Sequence, residues 1–145
     1  MFYQFEFFMP KDYFDLSKEL SYKLDDFNSG ISALKRTIYS RTYYSVFLHV
    51  REWLIQNDKY TSTVEDHAEI PEYIRLYGPF DSNKNMEIAT NLEILKKLRQ
   101  QADYYIKKDD ALRYNQDWVD KSTEEAILIA DKIFQSFNKK KPLKK

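Results

Sequence analysis

The sequence predicts an all-α fold, an up-and-down antiparallel bundle of four main helices plus a shorter one. Three observations carry that expectation. Gly and Pro are scarce, two and four among 145 residues, which argues against a loop-rich β fold. Apolar residues recur at helical spacing in several long stretches. One stretch, Ser29 to Asn57, has no Pro or Gly after Gly30 and is apolar on so many sides that other helices must surround it. Aromatic residues make up 17% of the chain and favour strands when taken alone. Their period is helical, and period outweighs propensity here.

Residues 1–10 form an aromatic arm in which Tyr3, Phe5 and Phe7 alternate with Gln4 and Glu6, so a short strand and a docked extended arm both fit. Pro10 opens a first helix over roughly 11–27, with Tyr13, Leu16, Leu20 and Leu24 on its inner face. Ser29 is placed to cap the long second helix, whose stripe holds Tyr39, Tyr43, Val46, Phe47, Val50, Trp53 and Leu54. A weaker helical stretch runs from Glu65 to Tyr77, and Pro71 is expected to start its second part. Asp81 or Ser82 caps the next helix, about 83–107, with Ile88, Leu92, Leu95, Leu98 or Arg99, Ala102 and Ile106 inside. Residues 107–118 are polar and expected to be irregular. Ser122-Thr-Glu-Glu125 is a capping box for a last helix, which turns Ala126, Ile129, Ile133 and Phe137 inward. The helical domain spans 11–138, and 139–145 is a Lys-rich tail.

At this length one domain can bury a real core. The formal net charge is zero, 23 basic against 23 acidic residues, so no global field draws the chain to nucleic acid or membrane. The tail is read as a solvated terminus, with weak attachment to polyanions as its alternative. With no Cys, disulfides, thiol catalysis and thiolate-bound zinc are excluded, and a cytoplasmic setting fits. No signal peptide and no membrane-spanning run is read. Two distant His offer no tight metal site, and two Gly offer no phosphate-cradling loop. No metal or cofactor is expected.

Two strings resemble those of a known family. Ser40-Arg-Thr-Tyr-Tyr-Ser-Val-Phe47 is similar to the second-helix motif of many prokaryotic HEPN-domain proteins, and Leu95-Lys-Lys-Leu-Arg-Gln-Gln-Ala-Asp-Tyr104 to their "LxxLRxxADY". Asp66-His67, between them, matches a His that many relatives carry at the start of the intervening helix. The likeness covers about residues 15–138. It implies an up-and-down bundle that often forms homodimers. Many members are metal-independent ribonucleases, and others are noncatalytic partners of minimal nucleotidyltransferases in toxin–antitoxin pairs.

The ribonuclease members use an Arg and a His four to six residues apart near the dimer axis. The His moves the proton of the ribose 2′-hydroxyl or of the leaving oxygen, and the Arg stabilises charge on the phosphorane without a metal. Here the resemblance assigns those roles to Arg41 and His49, but seven residues separate them. Seven helical steps return to within about 20° of the starting azimuth, and eight overshoot by about 80°. Leu48 therefore shares the face of Arg41, and His49 lies off it. Either the dimer geometry accommodates His49 or the catalytic His is missing, and the offset favours the second.

The candidate RNA- or nucleotide-binding residues are Arg41, Tyr44, Arg51, Arg99 and Tyr104. Each has a structural alternative. Arg41 serves either as a phosphate ligand or as half of an ion pair with Asp103. Arg99 pairs with Asp103 four residues on, or lines a phosphate cleft with Arg41 or Arg51. Tyr43-Tyr44 and Tyr104-Tyr105 straddle helix faces, packing in the core or stacking on unpaired bases. His49 is read as an interior or interface residue and His67 as solvated or capping, each weighed against catalysis. The expected function is a dimeric RNA-, nucleotide- or partner-binding component of a prokaryotic toxin–antitoxin or defence module. An active metal-independent ribonuclease is the alternative, so enzyme status stays open at this stage.

Overall fold

The computed structural model describes residues 9–26, 30–58, 60–104, 113 and 118–140. Among the described residues the helices are α1 (Pro10–Tyr22), α2 (Ile31–Asn57), α3 (Asp66–Tyr77), α4 (Ser82–Tyr104) and α5 (Thr123–Lys139), with a 3-10 turn at Leu24–Asp26. The all-α expectation is met, and no strand occurs among the described residues. Residues 1–8 of the aromatic arm, the expected Ser29 cap, Tyr105, Ile106, most of 107–117 and the tail beyond Lys140 lie outside the described residues.

The core is organised on α2, because its apolar stripe is too broad for one neighbour. Ile38, Tyr43, Val46, Phe47, Val50 and Leu54 are all buried. Helices α1, α4 and α5 pack round it, while α3 packs chiefly on α4. The cross-helix pairings give the directions. Arg36 donates to the Ala102 carbonyl at 2.7 Å and Tyr44 meets Arg99, so α2 and α4 are antiparallel. Arg75 pairs with Glu93 and His67 with Lys96, so α3 and α4 are antiparallel too. Along α5 the sense matches α2, with Tyr39 bonded to the Lys121 carbonyl, His49 against Phe134 and Trp53 against Phe137.

Capping follows the sequence. The Ser122 box closes in both directions, its hydroxyl accepting from Glu125 N–H and the Glu125 carboxylate accepting from Ser122 N–H. At α4 the choice falls on Asp81, whose carboxylate accepts the Lys84 N–H at 2.8 Å. Gly30 heads α2 with φ +73°, a left-handed conformation that side chains resist.

Two expectations need correction. Leu16 is 42% exposed, and the buried residues of α1 are Phe14 and Ser17. Phe14 stacks on Phe134 of α5 with centroids 4.8 Å apart, and the buried Ser17 hydroxyl donates to the Tyr13 carbonyl at 3.0 Å. Pro71 does not divide α3, which runs through it unbroken. Its missing N–H leaves the His67 carbonyl without its helical donor. The Lys96 ammonium of α4 donates to that oxygen at 3.3 Å, so the defect is repaired from outside the helix.

The α3–α4 corner is tied by the buried Asn85 amide. Its Nδ2 donates to the Gly78 and Phe80 carbonyls, and its Oδ1 accepts the Phe80 N–H. A Cβ on Gly78 would stand 2.4 Å from Asn85 Oδ1, so the corner needs glycine.

Candidate functional site

The connection from Asp58 to Glu65 delivers α3 to the bundle, and Asp66 fixes its first turn. This carboxylate is 5% exposed and accepts bonds from Tyr60 (2.6 Å), Ser62 (2.5 Å) and the Thr63 N–H (2.8 Å). Burial raises its pKa, but the bonds from Ser62, Thr63 and Tyr60 and the charge of Arg51 together outweigh that and hold it below the usual carboxylate value. The anchor sets the next residue, His67, against α2 and α4.

The His67 imidazole stacks on Phe47 at 4.0 Å with planes 10° apart. Its Nδ1 lies 2.7 Å from the Tyr43 hydroxyl, and the Tyr44 ring meets it edge-on at 5.9 Å. Tyr43 is buried, and burial pushes its hydroxyl pKa well above the ordinary value, so the O–H stays protonated. The bond is best satisfied when Tyr43 donates to Nδ1, which leaves the proton of the neutral ring on Nε2. Burial lowers the His67 pKa first, and the charges of Arg99 and Lys96 lower it further. Asp66 opposes them, and Arg51 adds slightly to the lowering.

Arg99 stands beside this ring on α4. Its Nε pairs with Asp103 at 3.0 Å and its NH2 group donates to the Tyr44 hydroxyl at 2.5 Å. The guanidinium lies over the rings of Tyr44 and Tyr104, 5.1 and 5.6 Å from the centroids. Tyr104 is 67% exposed, so one side of the arrangement is open to solvent. Lys96 lies one helical turn before Arg99 on the same helix.

The structure therefore brings together three of the sequence-derived binding residues, Tyr44, Arg99 and Tyr104. Arg51 is peripheral to this group, over the outer part of Phe47 at 5.8 Å and paired with Glu52 at 3.6 Å. Arg41 is exposed and sits over the Tyr13 ring of α1 at 4.9 Å. It borders a shallow cleft with Arg36, Ser40 and Asp103, but the ion pair of Asp103 is the intrahelical one with Arg99. His49 faces elsewhere, in a groove that Met9, Pro10 and Trp53 share with Arg51 and Glu52, its ring 4.8 Å from Phe134. Its Nε2 is buried with no hydrogen-bond partner among the described residues, and burial lowers its pKa against a smaller opposing effect of Asn138. Within one chain, Arg41 and His49 border different clefts.

Sequence reasoning missed Lys96, the Tyr43 hydroxyl and the Asp66 anchor. Lys96 had a signal, its placement three residues before Arg99 in Leu95-Lys-Lys-Leu-Arg99. Chemically, the cluster offers two cations and an imidazole beside two rings. That set suits an anion next to a planar group. Among the described residues no three His, Asp or Glu side chains are grouped to hold a metal ion, and no helix is long and apolar enough to cross a membrane. No protein-family model, curated protein or solved structure matches the chain.

Proposed function

We propose that this chain is a HEPN-like RNA-binding protein, a noncatalytic component of a prokaryotic toxin–antitoxin or defence module. One observation carries the reading. The three strings that resemble the family's motifs meet around one ring, with Tyr43, Tyr44 and Phe47 from the first, His67 from the second and Arg99 and Tyr104 from the third. Phosphates of a single strand face Arg99 and Lys96, and bases stack on Tyr104 and Tyr44. The lack of cysteine fits a cytoplasmic setting.

Fluorescence anisotropy with a labelled single-stranded oligoribonucleotide at low salt tests the reading. Arg99→Ala removes a charged donor and should cost roughly 1.5–3 kcal/mol of binding, about ten- to a hundredfold. Unchanged affinity in a folded Arg99→Ala protein would sink it. Capture of a nucleotidyltransferase in place of RNA would transfer the site to a protein partner.

The noncatalytic part rests on the separation of His49 from Arg41, which border different clefts of the chain. Incubation with RNA in chelator, assayed for 2′,3′-cyclic phosphate ends, checks it. Turnover abolished by His49→Ala would instead make the protein a ribonuclease. The homodimer belongs to the same proposal. Tyr22 (88% exposed) and Leu128 (63% exposed) border one groove between α1 and α5, apolar surface available to a second copy. Sedimentation at tens of micromolar should show the dimer.

A further inference from the structure

The imidazole of His67 lies at the centre of this binding surface, and its contacts hold it on several sides. Its Nδ1 faces the Tyr43 hydroxyl, its carbonyl is held by Lys96, and its face lies flat on Phe47. These contacts fix both the place and the tautomer of the ring, and Nε2 has no partner among the described residues. Unlike His49 Nε2, it is not among the buried partnerless atoms. The charged and titratable groups round it come from every helix that packs on it. Arg99 and Lys96 face it from α4, Arg51, Tyr43 and Tyr44 from α2, and Asp66 from its own helix. Arg99 and Arg51 are themselves paired with Asp103 and Glu52, Lys96 pairs with no carboxylate among the described residues, and the Asp66 carboxylate already accepts three hydrogen bonds.

We propose that His67 Nε2, the Lys96 ammonium and the Arg99 guanidinium form a seat for one phosphodiester of the RNA, and that His67 takes up a proton when the anion arrives. The inference rests on the RNA-binding reading and adds the ligand group and its coupling. In the free protein the two α4 cations repel a positive charge on the ring. A phosphodiester between them cancels that repulsion and accepts the Nε2–H bond, so the charged ring becomes the favoured form. Proton uptake on binding means that affinity rises as pH falls. A phosphodiester does not itself titrate between pH 5 and 8, so the proton is assignable to the protein. The Tyr43 bond keeps Nδ1 occupied in either state, as an acceptor in the neutral ring and as a donor in the charged one.

The test uses the full chain and an unphosphorylated single-stranded oligoribonucleotide. The chain has two histidines, so His49→Leu assigns their ring resonances in NMR spectra. The expected result has three parts. The His67 resonance titrates at higher pH with RNA than without it. RNA affinity rises on acidification from pH 8 to 5.5, by at most about tenfold per pH unit for one proton. His67→Gln keeps a donor, binds RNA, and loses the pH dependence. RNA binding that is independent of pH, or a His67 titration unchanged by RNA, overturns the proton-linked seat and leaves the RNA-binding reading standing. Absence of RNA binding by the parent at every pH overturns both. If His67→Gln does not fold, the titration of the parent with and without RNA decides alone.

Discussion

The two histidines lie against phenylalanine rings, and burial lowers the proton affinity of both, yet their surroundings are opposite. His49 tilts at 45° on Phe134 with its Nε2 buried and unpartnered. His67 lies nearly parallel on Phe47, tied at Nδ1 and at its carbonyl, with two α4 cations beside it. The difference shows what turns a packed ring into a chemical group. Burial alone makes an imidazole neutral and costly, whereas bonds to its other atoms make it oriented.

The largest effect should come from Tyr43, which is 2% exposed and touches both Phe47 and His67. Tyr43→Ala should destabilise by about 3–5 kcal/mol in chemical denaturation. Tyr43→Phe, which removes only the bond to His67, should cost about 1 kcal/mol. A melt of Tyr43→Ala close to the parent's would show that the core face of α2 is misplaced.

The histidines themselves should then separate. His67→Leu orphans the buried Tyr43 hydroxyl and should cost about 1–3 kcal/mol. His49→Leu removes an unpartnered nitrogen along with a hydrogen bond to Asn138, so the two effects offset and the net change should stay within about 1 kcal/mol. Equal losses at both sites would break the contrast.

Acid gives the smallest and most diagnostic signal. A histidine whose folded pKa lies below its unfolded value contributes stability that is complete above the unfolded pKa, near 6.5, and lost as pH falls through the folded one. The unfolded chain therefore takes up protons first, and stability should decline below about pH 6.5. Asp66 follows the same sign in a lower window, below its ordinary value of 3.8. His49→Leu should flatten the upper part of the decline in denaturation series run at several pH values. A stability that rises between pH 7 and pH 5 would contradict both histidine assignments.

Much of the fold was legible because periodicity and caps are local. The centrality of α2, the Ser122 box and the inner stripe Ile88, Leu92, Leu95 and Leu98 all read directly. Leu16 was misplaced because the face of α1 is set by Phe134, more than a hundred residues away in sequence. Pro71 was read as a break because its repair comes from Lys96, on another helix. The site was half legible for the same reason. Tyr44, Arg99 and Tyr104 were found as residue types within motifs. His67 was read as solvated or capping, because its partners Tyr43 and Lys96 lie 24 and 29 positions away. Each of those contacts joins two different helices.

The Asn85 corner has a mechanical consequence. At one end of the α3–α4 pair, Asn85 clasps Gly78 and Phe80, and roughly 16 Å further along α4 the Lys96 ammonium grips the His67 carbonyl. A pair of rods riveted at two points cannot hinge; it moves as one plate. The sparse seam lies between α3 and α2, where the Tyr43–His67 bond crosses, whereas α4 is packed closely on both. Lys96, Arg99 and the imidazole therefore keep their register as one unit when a ligand arrives, with the Tyr43–His67 bond intact.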